Sequence, residues 1–322
     1  MARNNLNILI TGGAGYIGSH LINLLLKNNF SVVSIDKKKS TNQKYNKKCI
    51  FIKGDIGDKN LVKKILKKYK IDVVVHLAAL MSVEESMRKP VLYFKNNIIA
   101  PVNLLEAMRE AKVNKIIFSS SAAVYGFLKG KLINEKNETN PSSAYGLTKI
   151  IFEKILAYYN QTYGFSCISF RIFNAAGADP AGKLKELHNP ETHIIPRTIK
   201  NILKNSPVVI YGKNYETSDG TCIRDYIHVN DISTAFLSAI PKTKDKICEV
   251  FNLSSGNGYS VKEVVDQCYF LLGKTPNVIF KNRRAGDPPI LVADNKKVKT
   301  FLKWSQKYNL KDIISHTIKS QR

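Results

Sequence analysis

The chain has 322 residues, of which 44% are hydrophobic and 23% are charged, a composition typical of a soluble globular protein with one large or two modest domains. No apolar run approaches the roughly 20 residues of a membrane helix, and the N-terminal "MARNNLNILITGG" lacks the apolar core of a signal peptide, so we expect no membrane partner. The formal net charge of +25 comes mostly from lysines spread over many segments, without an arginine-rich stripe or a zinc-finger pattern, so we expect no nucleic-acid partner either.

The five cysteines are scattered, with an odd total and no C-x-x-C spacing: Cys49, Cys167, Cys222, Cys248 and Cys268. This pattern predicts reduced thiols, with neither a disulfide framework nor a metal site. Because the N-terminus also has the pattern of a strand entering a turn, we expect a cytoplasmic protein.

Short apolar runs alternate with amphipathic stretches through the first half of the chain. The runs are continuous and rich in β-branched residues, which is typical of strands buried on both faces of a parallel sheet. Their alternation with helical patterns predicts βαβ units in a doubly wound (Rossmann) α/β fold. The predicted strands are 6–10, 31–36, 49–55, 72–79, 115–121 and 167–173, and the predicted helices are 17–27, 60–69, 102–112 and 144–159.

The pattern loosens after the last of these strands, where loops rich in Gly, Pro, Asp and Asn separate shorter elements. We therefore predict a Rossmann domain over residues 1–173 and a smaller α/β substrate domain mainly over residues 174–322. The apolar run 249–255 has the character of a sheet strand, so a segment near 225–255 is expected to return to the first domain.

A glycine-rich turn follows the first predicted strand. Gly13, Gly15 and Gly18 satisfy G-x-G-x-x-G, and Gly12 precedes them. Such glycines allow the backbone to approach a pyrophosphate, which the N-terminus of the next helix attracts. Asp36 ends the second strand, where a carboxylate binds adenosine ribose hydroxyls and repels a 2′-phosphate. The turn therefore predicts NAD rather than NADP, although three lysines follow the Asp; the alternative is a glycine-rich turn without a ligand.

Tyr145 and Lys149 are four residues apart, so they share one helix face, as ordinary surface pairs also do. Ser121 ends a predicted strand at the carboxyl edge of the sheet, where ligands of open α/β sheets bind. A free tyrosine has a pKa of about 10 and is a poor base at neutral pH, but an adjacent ammonium and a cationic nicotinamide would both lower that pKa. We therefore expect Ser121, Tyr145 and Lys149 to be catalytic.

Together with the glycine turn, these three residues resemble the catalytic set of the extended short-chain dehydrogenases/reductases. The segments "GGAGYIGSH", "FSSSAAVYG", "RIFNAAGADPAG" and "DGTCIRDYIHV" narrow the resemblance to the UDP-glucose 4-epimerases (UDP-galactose 4-epimerases), over about residues 6 to 310. The resemblance implies interconversion of UDP-galactose and UDP-glucose. Tyr145 would remove the O4 proton with Ser121 bridging, while a hydride passes from C4 to tightly bound NAD; the 4-keto sugar then presents its other face, and hydride and proton return.

The resemblance also implies the binding residues. The expected cofactor-binding residues are Gly12, Gly13, Gly15, Tyr16, Ile17, Gly18, Asp36, Asp55, Ile56, Leu77, Ala78, Asn96, Tyr145, Lys149 and Phe173. The expected substrate-binding residues are Ser121, Tyr145, Asn174, Arg224, Arg284, Asp287 and Leu291. Purely structural roles remain as alternatives: Asp55 as a turn cap instead of an adenine ligand, Phe173 as a packing residue, and each arginine as a surface residue instead of a diphosphate ligand.

Other residues separate the related activities. Dehydratases and decarboxylases of similar sequence carry acidic residues directly after the catalytic serine, whereas Ala122 and Ala123 cannot move protons. Leu291 is intermediate in size between the residues of relatives that reject and admit N-acetylated sugars, which leaves a UDP-N-acetylglucosamine or dual-specificity 4-epimerase open. A catalytically silent protein with an NAD-binding fold, which would bind RNA or another partner, is supported only by the net charge of +25.

Three further expectations concern the surroundings of the site. His76 and His228 are interpreted as structural neighbours of the site rather than as acids or bases. Met81 stands where some relatives have a lysine that touches the cofactor. The family resemblance implies a homodimer through helices near 102–111 and 150–159.

Overall fold

The computed structural model describes residues 6–38, 48–127, 132–186, 191–244, 246–283 and 288–321. The strands in these ranges are β1 (Asn7–Thr11), β2 (Ser31–Asp36), β3 (Ile50–Lys53), β4 (Val73–His76), β5 (Lys115–Ser121), β6 (Ser166–Ile172), β7 (Asn174–Ala176), β8 (Val208–Tyr211), β9 (Ile223–His228), β10 (Cys248–Leu253), β11 (Gly258–Ser260), β12 (Val278–Lys281) and β13 (Ile290–Leu291). The helices are α1 (Tyr16–Lys27), α2 (Lys59–Lys68), α3 (Val83–Arg88), α4 (Pro90–Phe94), α5 (Ala100–Glu110), α6 (Ala144–Tyr163), α7 (Ile194–Leu203), α8 (Val229–Ala239), α9 (Val261–Leu272), α10 (Lys296–Leu302) and α11 (Leu310–Gln321). Within these ranges, no helix is long and apolar enough to cross a bilayer.

Seven of the described strands form one parallel sheet, in the order β10-β6-β5-β4-β1-β2-β3. The predicted doubly wound parallel sheet is therefore confirmed. Every strand and helix predicted in the first half is present, and the largest difference is at the end of α6, predicted at 159 and observed at Tyr163. The physical reason for this agreement is visible in β4, where all residues are buried, as its continuous apolar run predicts.

Helices cover both faces of this sheet and create two cores. One face packs against α1, α8 and α10 through side chains such as Leu21, Phe236 and Val298. The other face packs against α2, α5 and α6 through side chains such as Leu104 and Phe152. β2 and β4 lie on opposite sides of β1, so the order in which strands are added to the sheet reverses there, and a crevice opens above the carboxyl ends of β1 and β4.

The later part of the chain builds smaller sheets. β9 pairs with β7, β11 and β13, and β8 pairs with β12, over a third core that includes α7, α9 and α11. The chain then returns to the main sheet: α8 packs against α1, and β10 pairs with β6. The domain boundary at residues 173 and 174 stays a prediction, and α8 with β10 is the segment that rejoins the first core.

Candidate active site

The glycine turn joins β1 to α1 at the crevice. Gly12 has a φ of +75°, and a Cβ there would lie 2.7 Å from the Ala78 backbone nitrogen. A Cβ on Gly18 would lie 2.7 Å from the Gly13 Cα, so the turn and the first helical turn also require glycine. A Cβ on Gly15, in contrast, would meet only the Gly12 carbonyl oxygen, at 3.2 Å. Gly15 therefore faces open space, and its lack of a side chain leaves room beside the turn.

Asp36 lies beside this turn at the end of β2. Its Oδ2 accepts a hydrogen bond from the Ala14 N–H at 3.1 Å, and its Oδ1 accepts one from the Lys38 N–H at 3.0 Å. α1 begins at Tyr16 after Gly15, with no capping side chain and no acidic residue in its first turn. The first turn of α1 therefore sets no carboxylate against an anion at this helix N-terminus, and the glycine turn and Asp36 together fit a dinucleotide.

The residues after β4 and β3 border the same crevice. Leu77 and Ala78 follow β4, and the Thr11 hydroxyl accepts a hydrogen bond from the Ala78 N–H at 3.3 Å. Asp55 and Asn96 meet through a residue that was not predicted: the Lys37 ammonium lies 2.9 Å from Asp55 Oδ2 and donates to Asn96 Oδ1 at 3.0 Å. The lysine after the Asp is thus engaged with two of the predicted cofactor residues.

The remaining predicted cofactor residues contribute apolar surface or anchor the helix. The Tyr16 hydroxyl donates to the Gly177 carbonyl at 2.5 Å, which ties α1 to the loop after β7. Ile17 packs on the edge of one sheet core and Ile56 in the other. Phe173 is buried in a small cluster between the main sheet and the later part of the chain.

Ser121 and Tyr145 meet where β5 ends and α6 begins. The Ser143 hydroxyl caps α6 by accepting the Gly146 N–H at 3.1 Å, which puts Tyr145 in the first helical turn. A Cβ on Gly146 would lie 3.0 Å from the Ala123 carbonyl carbon, so glycine lets the helix approach the turn after β5. The Ser121 side chain consequently lies close enough to the Tyr145 phenol to favour its ionised form.

Burial dominates the electrostatics of this set. It raises the pKa of Tyr145, and the Ser121 side chain opposes this effect only in part. Burial lowers the pKa of Lys149 to about 7, against the opposing charge of Glu153. The Lys149 ammonium lies 5.7 Å from the centre of the Tyr145 ring and donates to the Ser119 carbonyl at 2.8 Å. In the protein's own groups, desolvation of the phenolate therefore dominates the pKa of Tyr145, and the expectation that Lys149 and an oxidised nicotinamide together lower that pKa stays a prediction.

A buried polar network that was not predicted lies one helical turn beyond Lys149. Arg171 Nη2 lies 2.7 Å from Glu153 Oε2, and its Nη1 donates to the Tyr125 hydroxyl at 2.9 Å. Tyr125 in turn donates to Asn252 Oδ1 at 2.6 Å. The network joins α6 to β6 and β10. A lone arginine inside the apolar run "CISFRIF" was the signal that could have indicated it.

His76 and His228 are buried and hold neighbouring elements together. His76 Nδ1 is 2.7 Å from the Thr11 hydroxyl, between β4 and β1. His228 accepts the Asn230 N–H with its Nδ1 and lies 3.0 Å from His316 Nδ1 with its Nε2. Burial lowers the pKa of both His76 and His228 to about 3, so both rings are neutral. Lys149 acts in the same direction on His76, and His316 and His20 act in the same direction on His228.

A cavity of about 230 Å³ lies in the later part of the chain and contains two of the predicted substrate residues. Asn174 donates to the Asp225 carbonyl at 2.9 Å, and Arg224 follows on β9 beside it. His193, which was not predicted, also lines the cavity. Burial alone would lower the pKa of His193, but hydrogen bonds to Glu186 and Glu191 raise it to about 10, so the ring is cationic.

Of the remaining predicted substrate residues, Leu291 lies within the described ranges. Leu291 is the register partner of Arg224 and packs against the cluster that holds Ala122 and Phe173. It therefore lies between the turn after β5 and the cavity. Arg284 and Asp287 lie outside the described residues.

This geometry can be compared with known proteins. The model of the NAD-dependent epimerase/dehydratase family matches residues 8–254. The chain belongs to this family. Among curated members, the UDP-glucose 4-epimerase of Halalkalibacterium halodurans is 41% identical over 312 residues, which cover 96% of this chain and 93% of the relative.

Solved structures of family members have the same architecture. The UDP-glucose 4-epimerase of Brucella ovis, in complex with NAD, superimposes with a TM-score of 0.93 at 39% identity and covers 97% of both chains. The enzyme of Bifidobacterium longum, in complex with NAD⁺ and UDP, has a TM-score of 0.92 at 33% identity, with 98% of both chains covered. The resemblance to the UDP-glucose 4-epimerases and the α/β fold that it implied are thus confirmed.

Proposed function

We propose that this protein is a UDP-glucose 4-epimerase, an isomerase that interconverts UDP-galactose and UDP-glucose with tightly bound NAD. The observation that carries the proposal is the meeting of Ser121, Tyr145 and Lys149 at the carboxyl edge of the sheet, beside a glycine turn that fits a dinucleotide. The identity of 41% with a named relative over most of both chains supports it.

The chain's own residues divide the work of binding and proton transfer. The glycine turn, Asp36 and Lys149 would hold NAD, which when bound takes a hydride from C4 of the sugar and returns it to the other face. Tyr145 removes the proton from O4 and later restores it, with Ser121 hydrogen-bonded to the same oxygen. The methyl groups of Ala122 and its neighbour cannot move protons, which favours epimerisation over elimination.

The cavity beside β9 would receive the UDP end of the substrate. Arg224 supplies a planar cation suited to phosphate oxygens, whereas the charge of His193 is taken up by Glu186 and Glu191. Arg284 and Asp287 keep their predicted roles in binding UDP. Leu291, between this cavity and the turn after β5, would border the sugar and restrict N-acetylated substrates.

We further propose a cytoplasmic homodimer that serves galactose metabolism. Exposed apolar side chains support a dimer contact along the catalytic helix and its neighbour: Tyr158 on α6 is 69% exposed, and Ile99 directly before α5 is 55% exposed. Two such helices from each protomer can pack as a four-helix contact. Sedimentation of the purified protein would check the dimer, and a monomer at micromolar concentration would contradict it.

The decisive experiment is a UDP-galactose to UDP-glucose assay without added reductant. We expect Tyr145→Phe to reduce turnover by about 10³-fold or more, because the phenol carries the proton transfer, while the NAD content measured after denaturation stays unchanged. Tyr163→Phe, on the same helix, is the matched control. Retained turnover in Tyr145→Phe would exclude the tyrosine as the base. The kcat/KM ratio for UDP-N-acetylglucosamine against UDP-glucose tests the role of Leu291, and a ratio below about one in a thousand excludes dual use.

A further inference from the structure

Two of the five cysteines lie side by side on adjacent parallel strands. Cys167 on β6 and Cys248 on β10 are register partners, and the Cys167 N–H donates to the Ile247 carbonyl at 2.7 Å. Paired residues of neighbouring parallel strands point to the same face and have Cα atoms about 4.8 Å apart. That separation is within the range of about 4.4–6.8 Å found in disulfides, so the spacing of the two Cα atoms allows a bridge.

The two thiols differ in exposure and interact with each other. Cys248 is exposed on the edge strand, whereas Cys167 is buried. The proximity of the two thiols lowers the pKa of Cys248 to about 7 and, with burial, raises the pKa of Cys167. Burial raises the pKa of Cys49 and of Cys268 to about 12. Since the thiolate is the reactive form, Cys248 is the thiol that an oxidant meets first.

We propose that Cys248 and Cys167 form a peroxide-sensitive modification site that closes to a reversible disulfide and ties the edge strand β10 to β6. The Cys248 thiolate attacks one oxygen of hydrogen peroxide, the O–O bond breaks, and hydroxide leaves and takes up a proton as water. The resulting sulfenic acid is then attacked by the Cys167 sulfur, which loses its proton, and a second water leaves. Two thiols are oxidised, one peroxide is reduced, and a thiol reductant reverses the reaction.

The pair lies at the end of the strands opposite the catalytic residues. Cys167 is the second residue of β6, whose last residue, Ile172, is paired with Ser121 on one side and Leu253 on the other. At about 3.3 Å per residue, five residues of strand separate the thiols from the catalytic edge by roughly 17 Å. The disulfide therefore leaves the candidate active site unchanged, and its effect is on the attachment of β10.

Peptide mapping of the native, full-length protein after treatment with hydrogen peroxide tests the proposal. Trypsin releases the two cysteines in separate peptides, 155–171 and 247–262, neither of which contains another cysteine. We expect one non-reduced species with the summed mass of both peptides less two hydrogens, a loss of two of the five titratable thiols per chain, and full recovery with dithiothreitol. We also expect the melting temperature to rise by about 5 °C, because the bridge closes a long loop.

Variants and activity separate this reaction from general oxidation. Cys268→Ser should still lose two thiols, whereas Cys248→Ser should lose none in the same time. The oxidised wild type should keep its activity within about twofold. The proposal is overturned if Cys248 is recovered as a sulfinic acid while Cys167 stays a free thiol, or if the bridge joins two chains. These readouts do not need epimerase activity, so they stand or fall separately from the proposed function.

Discussion

The buried Glu153–Arg171 pair gives the sharpest test of how α6 is attached to β6 of the main sheet. Both side chains are nearly inaccessible, at 5% and 7% exposure, and the two groups approach to 2.7 Å. Arg171→Met removes the cation and leaves the Glu153 carboxylate buried without its partner. Such a loss costs about 3–5 kcal/mol of unfolding free energy. With an unfolding entropy of about 2.1 cal/mol/K per residue, 322 residues give about 0.7 kcal/mol/K, so the melting temperature should fall by roughly 4–7 °C.

Thermal melts at saturating NAD measure this shift. Glu153→Leu combined with Arg171→Met should recover most of the loss, because an apolar pair in the place of a buried ion pair is nearly neutral. Arg109→Met is the matched control: its ion pair with Glu106 is 42% and 28% exposed, so we expect the melting temperature to stay close to that of the wild type. The reasoning fails if Arg171→Met melts within about 1 °C of the wild type, or if the double variant is less stable than either single one.

The other predictions concern the glycine turn and the buried titrating groups. Gly18→Ala should lower the melting temperature of the cofactor-free protein, whereas Gly15→Ala should leave it nearly unchanged and weaken NAD binding measured by calorimetry; equal NAD affinity would remove Gly15 from the cofactor site. Burial lowers the pKa of Lys149 to about 7, so the buried ammonium destabilises the folded state fully below pH 7 and progressively less as the pH rises toward 10.5. Lys149→Met should therefore raise the melting temperature more at pH 6.5 than at pH 10. Burial lowers the pKa of His76 and His228 to about 3, so the unfolded chain takes up protons first as the pH falls below 6.5; stability should decline from there toward pH 3, and His228→Gln should make the decline in melting temperature shallower.

The first half of the fold was predictable because each local pattern agrees with the tertiary structure. β4 is apolar at Val73, Val74 and Val75 because helices cover both faces of the sheet, so neither face of the strand requires polar side chains. The glycine turn was equally readable, since Gly12 and Gly18 meet neighbouring backbone that admits no side chain. The later half was harder because β7, β11 and β13 have only two or three residues each, which is too short for any period to emerge.

The electrostatics of the candidate site could not be predicted from the sequence, because they depend on burial and on partners distant in the chain. Spacing places Tyr145 and Lys149 on one helix face, but it does not reveal that Lys149 donates to the Ser119 carbonyl. Nor does any local pattern bring Lys37 to Asp55 at the ends of the neighbouring strands β2 and β3. These contacts form only after the strands have taken their order in the sheet.

The raised pKa of Tyr145 has a consequence for a proton-transferring residue. In the protein alone the phenol keeps its proton, since burial disfavours the phenolate more than Ser121 favours it. Lys149, with a pKa of about 7, is only partly charged at neutral pH and cannot reverse that balance. Under the proposed function, Tyr145 would become a base when a further positive charge lies beside it, and it would regain its proton when that charge is removed. An oxidised nicotinamide would supply such a charge and a reduced one would not, so the acidity of Tyr145 would follow the redox state of the cofactor. The same phenol would thereby take the O4 proton when the sugar is oxidised and return it when the sugar is reduced.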